Sequence, residues 1–312
     1  IVDIIAPVEP GFIEREGMKE GIMHLIDTDR AEDLYAKMPA SRQQISGGSA
    51  ANTAAGIASL GGRAAFVGKV ADDVLGDVFE ADLNAIGVHY NTSRLKNGAL
   101  TARSMIFLSE DGERTMNTYL GACHQLTEAD IHADEMEGFL WDPVEAKKAF
   151  VLAAHYAHKH ERAAALTLSD PFCVDRFRAE FLDLIRSKTI DYVFANVHEL
   201  KSLYQTDDLG EAVREIAKDA EVAAITMGAD GAMAVFNGEV VSVPAFPIDK
   251  VVDATGAGDL FASGFLLGLA RNQSMESALK TGCLAAHEVI SHIGARPQVA
   301  LDGLVERHGL AG

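Results

Sequence analysis

From Ala164 onward the chain alternates two kinds of local pattern, and this alternation constrains the fold more than any other feature. Ala164-Leu166-Leu168 reads as a strand, and Ser169-Asp170-Pro171 caps a helix through Phe181 and Leu184. Tyr192-Val193-Phe194-Ala195-Asn196 is a second strand. Ala223 to Thr226 is a third, and Met233 to Phe236 a fourth. An Asn237-Gly238 hairpin then leads to Val240–Pro244. Strands that alternate with helices point to a mainly parallel sheet with helices on both faces. In such a sheet a ligand site lies beyond the carboxyl ends of the strands. The chain has 312 residues and shows no internal repeat, linker or low-complexity tract. The expectation is one domain over residues 1–312.

The next constraint is Asp253-Ala254-Thr255-Gly256-Ala257-Gly258-Asp259, which runs straight into an apolar helix. Phe261, Phe265, Leu266 and Leu269 recur at helical spacing and predict a buried face. The turn before them has almost no side chains. The backbone N–H groups of Gly256, Ala257 and Gly258 are expected to lie bare at the helix N-terminus, which makes an anion site. Asp259 within it is either a helix cap or a base held beside a reacting phosphate.

The first half of the chain carries a second small-residue helix. Ile45-Ser46-Gly47-Gly48-Ser49-Ala50-Ala51-Asn52-Thr53 opens it, and Gly61-Gly62 closes it. Such a helix can approach a sheet or a ligand closely. Asp3 is a carboxylate inside the apolar run 1–6, which needs a partner or a ligand unless it faces solvent. Met23–Ile26 and Ala64–Val70 are strand candidates, and Asp72-Asp73 opens a helix. Lys69 beside Gly68 does not make a Walker loop, because Gly62 is one residue too far away and Val70 stands where Ser or Thr is required. Asp111-Gly112 marks a hairpin, with Arg114 on its return strand. Asn196-Val197-His198-Glu199 follows a strand end, and by itself it is a capped helix start.

Composition limits the partners. The net charge of −19 argues against nucleic acid and anionic membranes. Cys123, Cys173 and Cys283 form neither a disulfide framework nor a zinc spacing, which suits a reducing cytoplasm. No apolar run is long enough for a membrane span. Ile1–Ile5 reads as a strand already under way, so residues before Ile1 are expected to be missing from this sequence.

Together these stretches resemble the ribokinase family, also called the PfkB carbohydrate kinases. Asp253–Asp259 resembles its D-T-x-G-A-G-D signature, and Gly47–Asn52 its G-G-x-x-x-N signature. Residues 66–76 are similar to G-x-V-G-x-D-x-x-G, Asn196–Glu199 to N-x-x-E, and 225–231 to V-T-x-G-x-x-G. The resemblance covers nearly the whole chain. It implies an α/β, ribokinase-like three-layer α/β/α sandwich with a mostly parallel central sheet. A small β lid would come from segments within about 10–45 and 90–122.

The resemblance also implies chemistry. Asp259 would be the base, the amides of Gly256, Ala257 and Gly258 the anion hole, and Arg114 a charge clamp on the phosphates. Asp3, Gly48, Ser49 and Asn52 would bind the acceptor. Asn196, Thr226, Gly228, Gly231, Ala286 and His287 would bind ATP, with Asn196 and Glu199 ordering Mg²⁺ through water. His198 is read as structural. The spacing from Asp3 through Gly11-Phe12, Met18-Lys19 and Met23 to Gly47-Gly48-Ser49, together with Leu168-Ser169-Asp170-Pro171-Phe172, is most similar to the family's adenosine kinase branch. This implies transfer from ATP to the 5′-hydroxyl of a nucleoside. Ribose, fructose or a 2-keto-3-deoxy sugar is the alternative acceptor, and a silent binding protein is another. The partners expected are small molecules only, with the chain a monomer or homodimer.

Overall fold

The computed structural model describes residues 1–109, 114–131 and 144–310. The Asp111-Gly112 turn and the 137–143 stretch with Trp141 lie outside the described residues. The chain divides into two compact units. One comprises Ile1–Ala51 and Ala64–Phe150, the other Asn52–Arg63 and Val151–Gly312.

The first unit is built on a five-stranded sheet. Its strands are β1 (Val2–Pro7), β2 (Met23–Leu25), β3 (Gln43–Ser46), β4 (Arg103–Leu108) and β5 (Arg114–Tyr119), in the order β2-β5-β4-β1-β3. β1 pairs parallel with β4, and β2 pairs parallel with β5; the other two pairings are antiparallel. β1 and β4 are buried on both faces, with Val2, Ile4, Ala6, Met105, Ile106 and Phe107 almost wholly inaccessible. Phe66, Phe79 and Tyr90 form an aromatic cluster with ring centroids 5.5–6.0 Å apart.

The expected strand 64–70 is reduced to isolated parallel bridges, Ala65 to His89 and Ala71 to Leu95. Between the bridges, at Gly68, side chains take the place of the ladder. The Tyr90 hydroxyl donates to the Gly68 carbonyl at 2.9 Å, and the Gly68 N–H donates to Thr92 Oγ1 at 3.3 Å. Lys69 is ion-paired with the buried Asp130, in keeping with its exclusion from a phosphate loop.

Asp73 caps the helix Val74–Ala85 by accepting from the Gly76 N–H at 2.8 Å. It also accepts from the Thr101 hydroxyl at 2.6 Å and the Thr101 N–H at 2.8 Å. Burial by itself would raise this carboxyl; the Thr101 hydroxyl, the Thr101 N–H and the Gly76 N–H outweigh it and hold the group below its ordinary value. Asp73→Ala should therefore cost about 2–3 kcal/mol, a lost cap plus two lost charge-assisted bonds. A depressed folded-state carboxyl stabilises above its ordinary value of 3.8, and that stability is lost as pH falls through the lowered value. Urea melts of parent and variant should differ at neutral pH and converge in acid. A gap that stays constant would contradict this.

The second unit carries β6 (Ala165–Thr167), β7 (Tyr192–Asn196), β8 (Val222–Thr226), β9 (Ala232–Phe236) and β10 (Glu239–Val243), in the order β10-β9-β8-β7-β6. β6, β7 and β8 are parallel, whereas β9 and β10 are antiparallel. Both sheets are thus mixed, and among the described residues half of the eight strand pairings are parallel. The β9–β10 turn has Asn237 and Gly238 at φ 51 and 77, the two positive values that a two-residue hairpin prefers.

Asp170 caps the helix Pro171–Arg186, as the sequence predicts, accepting from the Cys173 N–H at 2.8 Å. Phe194 of β7 stands edge-on to Phe261 and Phe265 of the helix Ala257–Ala270, with Leu266 and Leu269 at the margin of that cluster. Gly264 and Gly282 bring this helix against the helix Met275–Val289. A Cβ on Gly264 would lie 2.6 Å from the Thr281 carbonyl oxygen, and one on Gly282 would lie 2.7 Å from that of Phe261. The latter helix stops at Val289.

Candidate active site

The turn before the helix Ala257–Ala270 is held by Asp253. Its carboxylate accepts from the Thr255 N–H at 3.0 Å and from the Gly294 N–H at 2.8 Å, and the residue is 6% exposed. Sequence reasoning assigned Asp253 no role. An Asp two residues before a backbone N–H is an Asx-turn pattern, and that local half of its function was readable. Gly256 is left-handed at φ 80, and a Cβ there would lie 2.7 Å from the Ala295 Cβ. Only glycine fits both the backbone and the space.

The three amides are not equivalent. The Ala257 N–H donates to the Ala254 carbonyl at 3.2 Å, because the left-handed Gly256 folds the chain back into a tight turn. The expectation of three bare amides is corrected on this point. The Gly256 and Gly258 amides make no hydrogen bond to another described residue. A Cβ on Gly258 would meet nothing within 4 Å, so the turn is open at that point.

Asp259 follows in the first helical turn and is half-buried. Its Oδ2 accepts from Asn52 Nδ2 at 2.9 Å, and its backbone carbonyl accepts from the Thr53 hydroxyl at 3.2 Å. The small-residue helix Ser49–Ser59 thus meets another helix: a Cβ on Gly56 would lie 2.3 Å from Ser263 Oγ.

Thr226, the last residue of β8, is in register with Asn196, the last residue of the parallel β7. Asn196 and Glu199 form a reciprocal capping box. The Glu199 N–H donates to Asn196 Oδ1 at 2.9 Å, the Asn196 N–H donates to Glu199 Oε2 at 2.8 Å, and Asn196 Nδ2 donates to Oε1 at 2.6 Å. Burial pushes the Glu199 carboxyl up, the Asn196 N–H opposes this, and Asp170 adds to it. Gly228 at φ 60 is open, whereas Gly231 at φ 98 is packed so that a Cβ would lie 2.1 Å from the Val243 carbonyl oxygen. Ala286 packs on the core cluster that includes Phe194. His287 lies beside Phe246 at 6.0 Å, and its Nδ1 is buried without a hydrogen-bond partner.

In the first unit, Asp3 is the second residue of β1, between Ile45 and Ser104. Gly47 lies on its carboxylate, since a Cβ there would be 2.2 Å from Asp3 Oδ2. Gly48 at φ 94 and the half-buried Ser49 continue that turn. Arg114 is half-buried and opens β5 opposite Leu108.

A family model described as pfkB family carbohydrate kinase matches residues 19–300. The chain belongs to the pfkB family of carbohydrate kinases. The solved structure of a probable sugar kinase from Rhizobium etli CFN 42 is 51% identical, with a TM-score of 0.92 over 99% of this chain and 96% of that one. That of adenosine kinase from Sinorhizobium meliloti is also 51% identical, with a TM-score of 0.91 over the same shares. Adenosine kinase 2 of Arabidopsis thaliana is 24% identical over 94% of this chain and 92% of its own. This pfkB-family kinase therefore has the ribokinase-like fold and is a phosphotransferase with an alcohol group as acceptor; the family's co-substrate is ATP. No described helix is long and apolar enough to cross a membrane.

Among the described residues no group of three or more His, Cys, Asp or Glu could hold a metal ion. Mg²⁺ needs no such cage, because it keeps several waters and binds through substrate phosphates. The oxygens of Glu199 each have lone pairs beyond those that Asn196 occupies. The residues fit a Mg²⁺ held through water.

Proposed function

We propose that this pfkB-family kinase transfers the γ-phosphate of ATP to the 5′-hydroxyl of a nucleoside, adenosine to AMP. The observation that carries the reading is Asp259 in the first turn of a helix whose entry turn is open at Gly258. A carboxylate in that place can take the proton of an attacking hydroxyl while backbone amides and the helix end receive phosphoryl oxygens. Asp3, Gly48, Ser49 and Asn52 bind the ribose, and Arg114 neutralises phosphate charge. Thr226, Gly228, Gly231, Ala286 and His287 line the nucleotide with Asn196. Most of the rate then comes from positioning and charge rather than from covalent chemistry.

Adenosine is favoured by the likeness to the Sinorhizobium meliloti enzyme. A sugar acceptor is the second reading, because an equally identical relative is called a probable sugar kinase. The test is ATP turnover against a panel of nucleosides and of ribose, fructose and 2-keto-3-deoxy sugars. Adenosine should give the highest kcat/KM; a sugar that exceeds it would move the assignment.

Asn196 and Glu199 would hold Mg²⁺ through water, and bound Mg²⁺ would neutralise charge on the ATP phosphates. Glu199→Gln should therefore raise the Mg²⁺ concentration needed for half-maximal activity several-fold and leave the nucleoside KM near that of the parent. An unchanged Mg²⁺ titration would leave Asn196 and Glu199 as a helix cap alone.

A further inference from the structure

Asn52 and Asp259 are 207 residues apart in sequence, yet the Asn52 amide faces the Asp259 carboxylate, with Nδ2 donating to Oδ2 at 2.9 Å. Chemistry fixes which way the amide points. An ionised carboxylate only accepts, so the atom against it must be the amide nitrogen, and Oδ1 must turn away. Asn52 is 4% exposed, and that Oδ1 is buried without a hydrogen-bond partner. A buried carbonyl left unpaired is costly, which marks the atom as one that waits for a donor. The Thr53 hydroxyl holds the backbone carbonyl of Asp259 at 3.2 Å. The approach is possible because Gly56, one turn beyond Asn52, lies against Ser263, one turn beyond Asp259.

We propose that Asn52 is a positioning residue for phosphoryl transfer. Its Nδ2 holds the Asp259 carboxylate in one orientation, and its Oδ1 accepts from a hydroxyl of the bound acceptor. One rigid amide then ties recognition of the acceptor to alignment of the base. This rests on Asp259 being the base. An acceptor that lacks the bonded hydroxyl should lose kcat as well as affinity, because the amide is no longer locked.

A double-mutant cycle tests the proposal. Asn52→Leu and Asn52→Ala remove the donor in two sizes, and each is made in the parent and in an Asp259→Asn background. At saturating ATP and acceptor, each should lower kcat about 10- to 100-fold in the parent, the scale of a misplaced catalytic group. Neither should lower it further once Asp259 is gone. Equal losses in both backgrounds, or a rise in KM alone, would overturn the proposal and leave Asn52 a binding contact. If Asp259→Asn itself keeps the parent kcat, the failure lies with the base. Should the Asn52 variants not fold, Gly56→Ala pushes the helices apart without touching either residue. It should show the same kcat loss, dependent on Asp259; an unchanged kcat would overturn the proposal.

Discussion

Asp259→Asn should keep the fold and lose about 10²–10⁴-fold in kcat, the usual contribution of a positioned base. The substitution preserves shape, and its Oδ1 can still accept from Asn52 Nδ2, which donates to Asp259 at 2.9 Å. The competing role is that of a first-turn carboxylate at a helix N-terminus, worth about 0.3–1 kcal/mol. The two roles separate cleanly. Loss of the helix-end charge lowers the melting temperature by a few degrees in either case, whereas only loss of a base also lowers turnover. Steady-state kinetics and a thermal melt on the same preparation decide it. A kcat within a few-fold of the parent would remove Asp259 from the chemistry.

Gly256→Ala should be nearly as damaging, for a different reason. The new Cβ would sit 2.7 Å from the Ala295 Cβ and 2.9 Å from its Cα, and the backbone would be held at φ 80. The strain is of order 1–3 kcal/mol. The clash drives the turn away from Ala295 and carries the amides of Gly256 and Gly258 with it. Loss of one preorganised donor typically costs about 10²–10³ in kcat. Gly258→Ala is the contrast for folding, because nothing lies within 4 Å of a Cβ there. Its melting temperature should match the parent's, whereas that of Gly256→Ala should fall. Parent-like kcat in Gly256→Ala would mean that the turn does not receive the phosphoryl oxygens.

Local chemistry in this chain was legible from sequence. The Asp170 and Asn196 caps, the Asn237-Gly238 hairpin and the Phe261–Phe265 face each depend on residues within a turn or two of one another. What was illegible is what joins distant segments. Asp253 to Gly294 spans 41 residues, and Asn52 to Asp259 spans 207. No local pattern distinguishes an Asp that staples a loop from one that faces solvent. The strand expected at 64–70 is interrupted at Gly68, whose N–H and carbonyl are taken by the Thr92 and Tyr90 side chains of another segment, while Ala64, Phe66 and Val70 bond the backbone on either side. Ala257 was expected to offer a bare amide; the turn that Gly256 imposes consumes it. Asn196 and Glu199 were legible both as a cap and as a metal motif, and the capping box accounts for the first of these.

The most direct measurement follows the phosphate itself. The protein is incubated with ATP, Mg²⁺ and adenosine, and the products are read by phosphorus NMR with coupling to the ribose protons. One AMP is expected for each ADP, with the new phosphorus coupled to the two C5′ protons. Release of free phosphate without AMP, or transfer to a sugar but not to adenosine, would contradict it.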